Sequence, residues 1–246
     1  MSTKFEVSPT LHLPATSVSQ SFAITGVDFT TLSLAGSPSV VSTATTSSLT
    51  MTSSTSQTAA AWLPVKQPVA NGFTTQFTFQ LSSGGGLFAD GFAFVIQNSA
   101  AATGALGTTG MGGFLGYQGL TNSLAIEFDT FQNDWDPNAN HVAVQSNYTG
   151  ANTASHNNQD YPTPALSVVN SSLLTNLSSG THSVTITYDG SSTLTVSLDG
   201  NSVLTAPLNF SSLGLDAGGN AVVGFTAATG SGSENTVISG WSFAAN

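Results

Sequence analysis

Apolar residues along this chain alternate with polar ones at a period of two, and no stretch shows the spacing of an amphipathic helix. The clearest case is FTTQFTFQL. It puts Phe73, Thr75, Phe77, Phe79 and Leu81 on one face and Thr74, Gln76, Thr78 and Gln80 on the other, the pattern of a half-buried strand. From Phe22 to Met51 the apolar residues come singly or in pairs, punctuated by Gly26 and Gly36-Ser37-Pro38, which predicts short strands joined by turns. In LFADGFAFVI, Phe92, Phe94 and Ile96 alternate with Ala93 and Val95, so both faces are apolar and the strand is expected between two layers. HSVTITYDG and STLTVSLDG read as a hairpin around a Gly-Ser-Ser turn, and AVVGFTAATG and VISGWSFAAN supply two closing strands. About a dozen evenly spaced strands predict an all-β sandwich or jelly roll. With no linker in view, residues 1–246 are expected to form one domain.

Three loops interrupt the alternation. NSAAATGALGTTGMGGFLGYQG has too many glycines for a helix and too few charges for a solvated linker, and a loop of that length inside a compact domain is usually functional. NYTGANTASHNNQDYPTP is a polar loop, and Ser231–Thr236 is a short one between the last two strands.

Composition narrows the function. The net charge is −10 with two Lys+Arg residues, Lys4 and Lys66, and no arginine, so nothing could hold a nucleic acid. There is no cysteine to form a disulfide, no apolar leader at MSTKFEVSP, and no apolar run of the roughly 18 residues that would span a membrane. A surface poor in Lys and rich in Ser and Thr points to a secreted, extracellular protein.

The candidate chemistry lies in EFDTFQNDWDPNANH, residues 127 to 141, which carries four of the twelve acidic residues. Leu124, Ile126 and Phe128 are expected to face the core. Glu127 and Asp129 then share the other face of one strand, about 7 Å apart at roughly 3.4 Å per residue, and Phe131 follows on that face. Crowded carboxylates usually recruit an arginine; here the remaining partners are water, backbone N–H groups or a cation. A divalent ion reverses the local electrostatics most economically, so the stretch is read as a metal site.

The chain resembles the legume-lectin-like, or L-type, lectins. The likeness runs from AAAWLPV and FTTQFTFQL through ADGFAFVI, GGFLGY and EFDTFQNDWDPNANHVAV to VGFTAATG and WSFAA. Its specific part is an acid-x-acid strand, an Asn four residues after the Asp, then Asp-Pro, then a His five residues after that Asp. The resemblance implies a concanavalin-like sandwich with a flat back sheet, a curved front sheet and sugar-binding loops above the latter. It implies a transition ion, usually Mn²⁺, on Glu127, Asp129, Asp136 and His141. It also implies Ca²⁺ on Asp129, Asn133, Asp136 and the carbonyl of Phe131. Oxygen donors with one amide suit hard Ca²⁺, while an added imidazole suits Mn²⁺ or its neighbours. The implied sugar site is Asp90, Gly113 (or Gly112, the GMGG run leaving the register open), Asn133 and Phe131, with Ser231 and Gly232 from the last loop. The bond Ala89-Asp90 is expected to be cis. A short loop between Gly230 and Trp241 implies mannose or glucose preference. Glycans are the implied partners, and the back sheet is a possible homo-oligomer face.

Two rival functions remain. A glycoside hydrolase on a related sandwich would need E-x-D-x-x-E, but Gln132 stands at the second Glu and cannot transfer the catalytic proton. An adhesion or assembly module with little sugar affinity is the other. Asp134 reads as solvated, Trp62 and Trp241 as core, and Trp135 as either loop packing or site lining. His12, His156 and His182 have no partners in sequence and read as surface residues.

Overall fold

The computed structural model describes residues 22–156, 165–170 and 175–246; His12 and the later part of the polar loop lie outside them. Sixteen strands form among the described residues. The first six are β1 (Phe22–Ile24), β2 (Ser33–Gly36), β3 (Ser39–Ser42), β4 (Ser47–Thr52), β5 (Thr58–Trp62) and β6 (Gln67–Pro68). Then come β7 (Phe73–Ser83), β8 (Gly91–Gln97), β9 (Ser123–Asp129), β10 (His141–Ser146) and β11 (Leu166–Asn170). The chain closes with β12 (Thr181–Tyr188), β13 (Thr193–Leu198), β14 (Asn201–Pro207), β15 (Asn220–Ala228) and β16 (Glu234–Ala245).

Two antiparallel sheets of eight strands result. One runs β14-β13-β12-β7-β16-β4-β3 with β1 on β16; the other runs β11-β10-β9-β8-β15-β5-β2 with β6 on β15. The last two strands fold back into the middle of the sheets, β16 beside β7 and β15 beside β8. This nesting is the jelly-roll connection.

The alternating strand β7 behaves as its pattern dictates, with Phe73, Phe77, Phe79 and Leu81 inward. They meet Phe92, Phe94, Phe128 and Phe225 of the opposite sheet, and Trp241 and Phe243 of β16, in one aromatic core. Phe77 meets Phe225 edge-on at 4.9 Å between centroids, and Phe92 stacks on Phe128 at 4.9 Å. Such pairs add roughly 0.5–1.5 kcal/mol each beyond area burial.

The two-faced strand β8 is covered on its outer face too, but by the Gly-rich loop rather than by a third sheet. Ala93, Val95 and Ala125 pack there with Trp62, Leu115, Tyr117 and Leu120, and Trp62 Nε1 donates to Ala105 O at 2.8 Å. The structure also has more strands than the alternation alone indicates. β14 follows β13 through the turn Asp199-Gly200, where both residues take left-handed backbone (φ 52° and 80°), the geometry of a two-residue hairpin. His182 is a further difference. It is buried, with Nδ1 2.8 Å from Asp199 Oδ2, because the adjacent hairpin turn supplies a partner that sequence distance hid.

Replacing Phe77 by Ala removes the ring that touches Phe92, Phe94, Phe128 and Phe225. The expected loss is about 3–5 kcal/mol in urea unfolding; a loss under about 1 kcal/mol would show that the core is not organised around this ring.

Candidate functional site

The antiparallel register of β9 and β10 builds the acidic centre. His141 lies opposite Asp129, and Ala143 opposite Glu127. Directly opposite side chains project on one face, so Asp129, Glu127 and His141 gather there, while the small Ala143 leaves room beside Glu127. The connecting loop folds Asp136 back into the same place. Asp129, Asp136 and His141 offer ligand atoms within 4.8 Å of one another, as do Glu127, His141 and His156.

Each carboxylate is anchored by one oxygen. Tyr117 OH donates to Glu127 Oε1, Phe131 N to Asp129 Oδ1 at 2.8 Å, and Asn133 N to Asp136 Oδ2 at 2.8 Å. Of the opposite oxygens, Asp136 Oδ1 is buried with no hydrogen-bond partner, as is Asn133 Oδ1, and Glu127 Oε2 is buried beside the ring nitrogen of His156 at 3.2 Å. Two buried acceptors without donors, next to a third served only by an imidazole, fit a cation and are costly without one. Burial and the neighbouring acids Asp136 and Glu127 push Asp129 well up, and burial raises Asp136 to about 7. Burial lowers His141 to about 4, so its ring is neutral, the form that binds metals.

The peptide bond Ala89-Asp90 is cis, as expected. Asp90 precedes β8, its carbonyl accepts from Thr130 N at 3.1 Å, and its Oδ2 accepts from Gly230 N at 2.9 Å. Burial raises it to about 6. A pocket of about 240 Å³ opens above it, lined by Asp90, Gly113, Phe131, Asn133, Ser231 and Gly232, and also by Gly112 and Gly230. Every residue read as sugar-contacting therefore borders one cavity. Both glycines of the ambiguous run are needed: a Cβ on Gly112 would lie 1.7 Å from Asp90 Oδ2, and one on Gly113 2.3 Å from Asn133 Oδ1. At the rim, Leu87 and Met111 are exposed apolar side chains that the sequence reading did not assign. Trp135 is buried and stacks on Phe114 at 5.9 Å, so it packs the loop. Asp134 is exposed.

Two residues read as unremarkable are part of this region. His156 is not a surface residue: its side chain is 6% exposed, and its Nε2 lies 3.2 Å from Glu127 Oε2 and 3.1 Å from His141 Nε2. Its place is reached through a turn at Asn147–Gly150, with no periodic spacing from His141 to reveal it. Glu234 is not a loop residue but the first of β16, and it is fully buried. Thr130 Oγ1 donates to its Oε2 at 2.8 Å and Thr236 Oγ1 to its Oε1 at 3.1 Å, and burial raises it to about 7. The loop between β15 and β16 is thus only residues 229–233, shorter than the sequence indicated.

The model of the legume lectin beta-barrel domain matches residues 16–239. Lectin B4 of Vicia villosa is 38% identical over 82 residues, 30% of this chain and 42% of that protein. The chain's matches span less than half the length of the curated relatives. Among solved structures, basic winged bean lectin with Tn-antigen superposes with a TM-score of 0.68 at 24% identity, covering 92% of this chain and 98% of that one. Acidic winged bean lectin complexed with methyl-α-D-galactose gives 0.67 at 24%, covering 92% and 97%. At that identity the structural likeness establishes the fold, a legume-lectin sandwich. The family match and the lectin relatives support carbohydrate binding, and the acid and histidine groupings accord with a family that generally binds metal ions.

A pH dependence follows for protein stripped with EDTA. Glu234 in the folded state sits near 7 against 4.5 for the unfolded chain, so its contribution to stability is full below about 4.5 and is lost as pH rises to about 7. Glu234→Gln is expected to remove on the order of 3 kcal/mol of that decline, measured by urea unfolding across pH 4.5 to 8. An unaltered profile would refute the assignment; the slope that persists belongs to Asp90, Asp129 and Asp136.

Proposed function

Since the chain belongs to the legume lectin (L-type) domain family, we propose that it is a non-catalytic glycan-binding protein whose pocket at Asp90 and Asn133 is held in shape by two cations. The observation that carries the reading is the meeting of Asp90, Gly113, Phe131, Asn133, Ser231 and Gly232 around one pocket directly beside the acidic cluster. Asp90 and Asn133 offer acceptors and donors to vicinal hydroxyls, the glycines let backbone approach, and Phe131 covers an apolar sugar face. Gly230 N holds Asp90 Oδ2, which orients the carboxylate's other oxygen for a ligand.

Asp129, Asn133, Asp136 and the Phe131 carbonyl are the proposed Ca²⁺ ligands, and Glu127, Asp129, Asp136 and His141 those of a transition ion, Mn²⁺ or a neighbour. The unpartnered oxygens of Asp136 and Asn133 and the buried Glu127 oxygen beside His156 support both assignments. A bound cation neutralises the crowded carboxylates, and the chain's own part is to aim them: Tyr117 turns Glu127, Phe131 N turns Asp129, and Asn133 N turns Asp136. The short last loop supports a pocket for mannose or glucose. One domain, secretion, free or conjugated glycans as partners and pairing through the β7-containing back sheet complete the reading. Among the described residues no helix is long and apolar enough to cross a membrane.

A glycan array with and without EDTA tests the function. Calcium-dependent signal on mannose- or glucose-terminated glycans is expected; signal confined to galactose would overturn the preference, release of sugar from a polysaccharide would indicate a hydrolase, and silence an adhesion or assembly module. Asn133→Ala should lower glycan affinity by roughly a hundredfold, about 3 kcal/mol, by deleting a buried polar partner; unchanged affinity would sink the pocket assignment. Chelation should lower Tm because ions that bind only the folded state stabilise it by RT ln(1 + [L]/Kd), and an unmoved transition counts against both ions.

A further inference from the structure

The transition-ion position proposed above has more imidazole around it than the family resemblance implies. His156 Nε2 stands 3.1 Å from His141 Nε2, 3.2 Å from Glu127 Oε2 and 3.6 Å from Asp136 Oδ1. Neighbouring donors on an octahedral ion, each about 2.1 Å from the metal, lie about 3.0 Å apart. His156 Nε2 keeps about that separation from both His141 Nε2 and Glu127 Oε2, and the ligand atoms of the three residues all lie within 4.8 Å of one another.

The outer bonds of both rings favour the same result. His141 Nδ1 is 2.9 Å from the carbonyl oxygen of Asn138, which can only accept. Nδ1 therefore carries the hydrogen, and in the neutral ring Nε2 keeps its lone pair. His156 Nδ1 is 2.8 Å from the side-chain amide of Gln145, two positions beyond Ala143 on the face of β10 that His141 begins. A side-chain amide can present its oxygen or its nitrogen, and Gln145 Oε1 is buried without a partner where the nitrogen faces the ring. With the oxygen turned to Nδ1–H, the Nε2 lone pair of His156 points at the same place as that of His141.

We propose that His156 is a direct ligand of the transition ion, giving this chain a site with two imidazoles, and that Gln145 is the positioning residue that orients the second ring. The inference rests on the reading that Glu127, Asp129, Asp136 and His141 hold a transition ion. A second imidazole in place of solvent shifts preference toward Zn²⁺ and Co²⁺ and away from Mn²⁺, which is better served by carboxylate and water.

The test is isothermal titration of EDTA-stripped protein with ZnCl₂, CoCl₂ and MnCl₂, together with X-ray absorption at the zinc edge. Wild type is expected to show two imidazoles on zinc and His156→Ala one. His156→Ala should weaken Zn²⁺ and Co²⁺ roughly tenfold or more, and Mn²⁺ by a much smaller factor. Gln145→Glu, which keeps an acceptor at Nδ1, should retain both imidazoles, and Gln145→Ala should weaken Zn²⁺; circular dichroism confirms that each variant is folded. One imidazole on zinc in folded wild type, or equal Zn²⁺ affinity in wild type and His156→Ala, overturns the proposal and leaves the four-residue site standing. Failure of wild type to bind any of the three ions overturns that site as well.

Discussion

Three carboxylates, Glu127, Asp129 and Asp136, are packed against one another at the buried end of the β9–β10 hairpin in a chain that has no arginine. The one Lys in the described residues, Lys66, is paired with Asp216 elsewhere. Among the described residues no lysine or arginine side chain relieves this crowding, and His156, 3.2 Å from Glu127 Oε2, offsets it only when protonated, so a bound proton or cation is what stabilises the cluster. Protonation and cation binding are alternatives at the same oxygens. The raised values of Asp129 and Asp136 and the donorless oxygen of Asp136 are two expressions of one constraint.

The pocket inherits that constraint through short covalent and hydrogen-bonded paths. Asn133 borders the pocket with its side chain while its N–H holds Asp136. Thr130 N holds the Asp90 carbonyl, and Thr130 Oγ1 holds Glu234 beneath it. The Gly-rich loop works at both places, since Gly112 and Gly113 border the pocket and Tyr117 anchors Glu127. Its apolar side chains dock on the outer face of β8 and β9, so the loop is a packed layer rather than a free excursion. The acidic cluster and the pocket therefore share residues and hydrogen bonds. Such coupling suits a binding site that must be rigid before its ligand arrives.

The four proposed ligands Glu127, Asp129, Asp136 and His141 and the proposed further ligand His156 differ in how they enter the site. Four of them come from one hairpin, fifteen residues long from Glu127 to His141. His156 arrives from the loop beyond β10 and is held by Gln145, a residue of the same strand face as His141.

What the sequence determined by itself is whatever local periodicity and spacing encode. Alternation placed Phe73, Phe77, Phe79 and Leu81 inward and gave β8 two apolar faces, because successive side chains in a strand must point to opposite sides. The spacing from Glu127 to His141 likewise encodes its own arrangement, since a strand, a loop and a returning strand bring those residues to one face. Tertiary structure alone decided what depends on closure between distant segments. His156 and His182 found partners across turns that carry no period, Glu234 became a buried strand residue because β16 begins against β7, and Gly112 and Gly113 leave room for Asp90, just before β8, and Asn133, in the loop between β9 and β10. Those contacts are fixed by packing of the whole sandwich, and no local pattern records them.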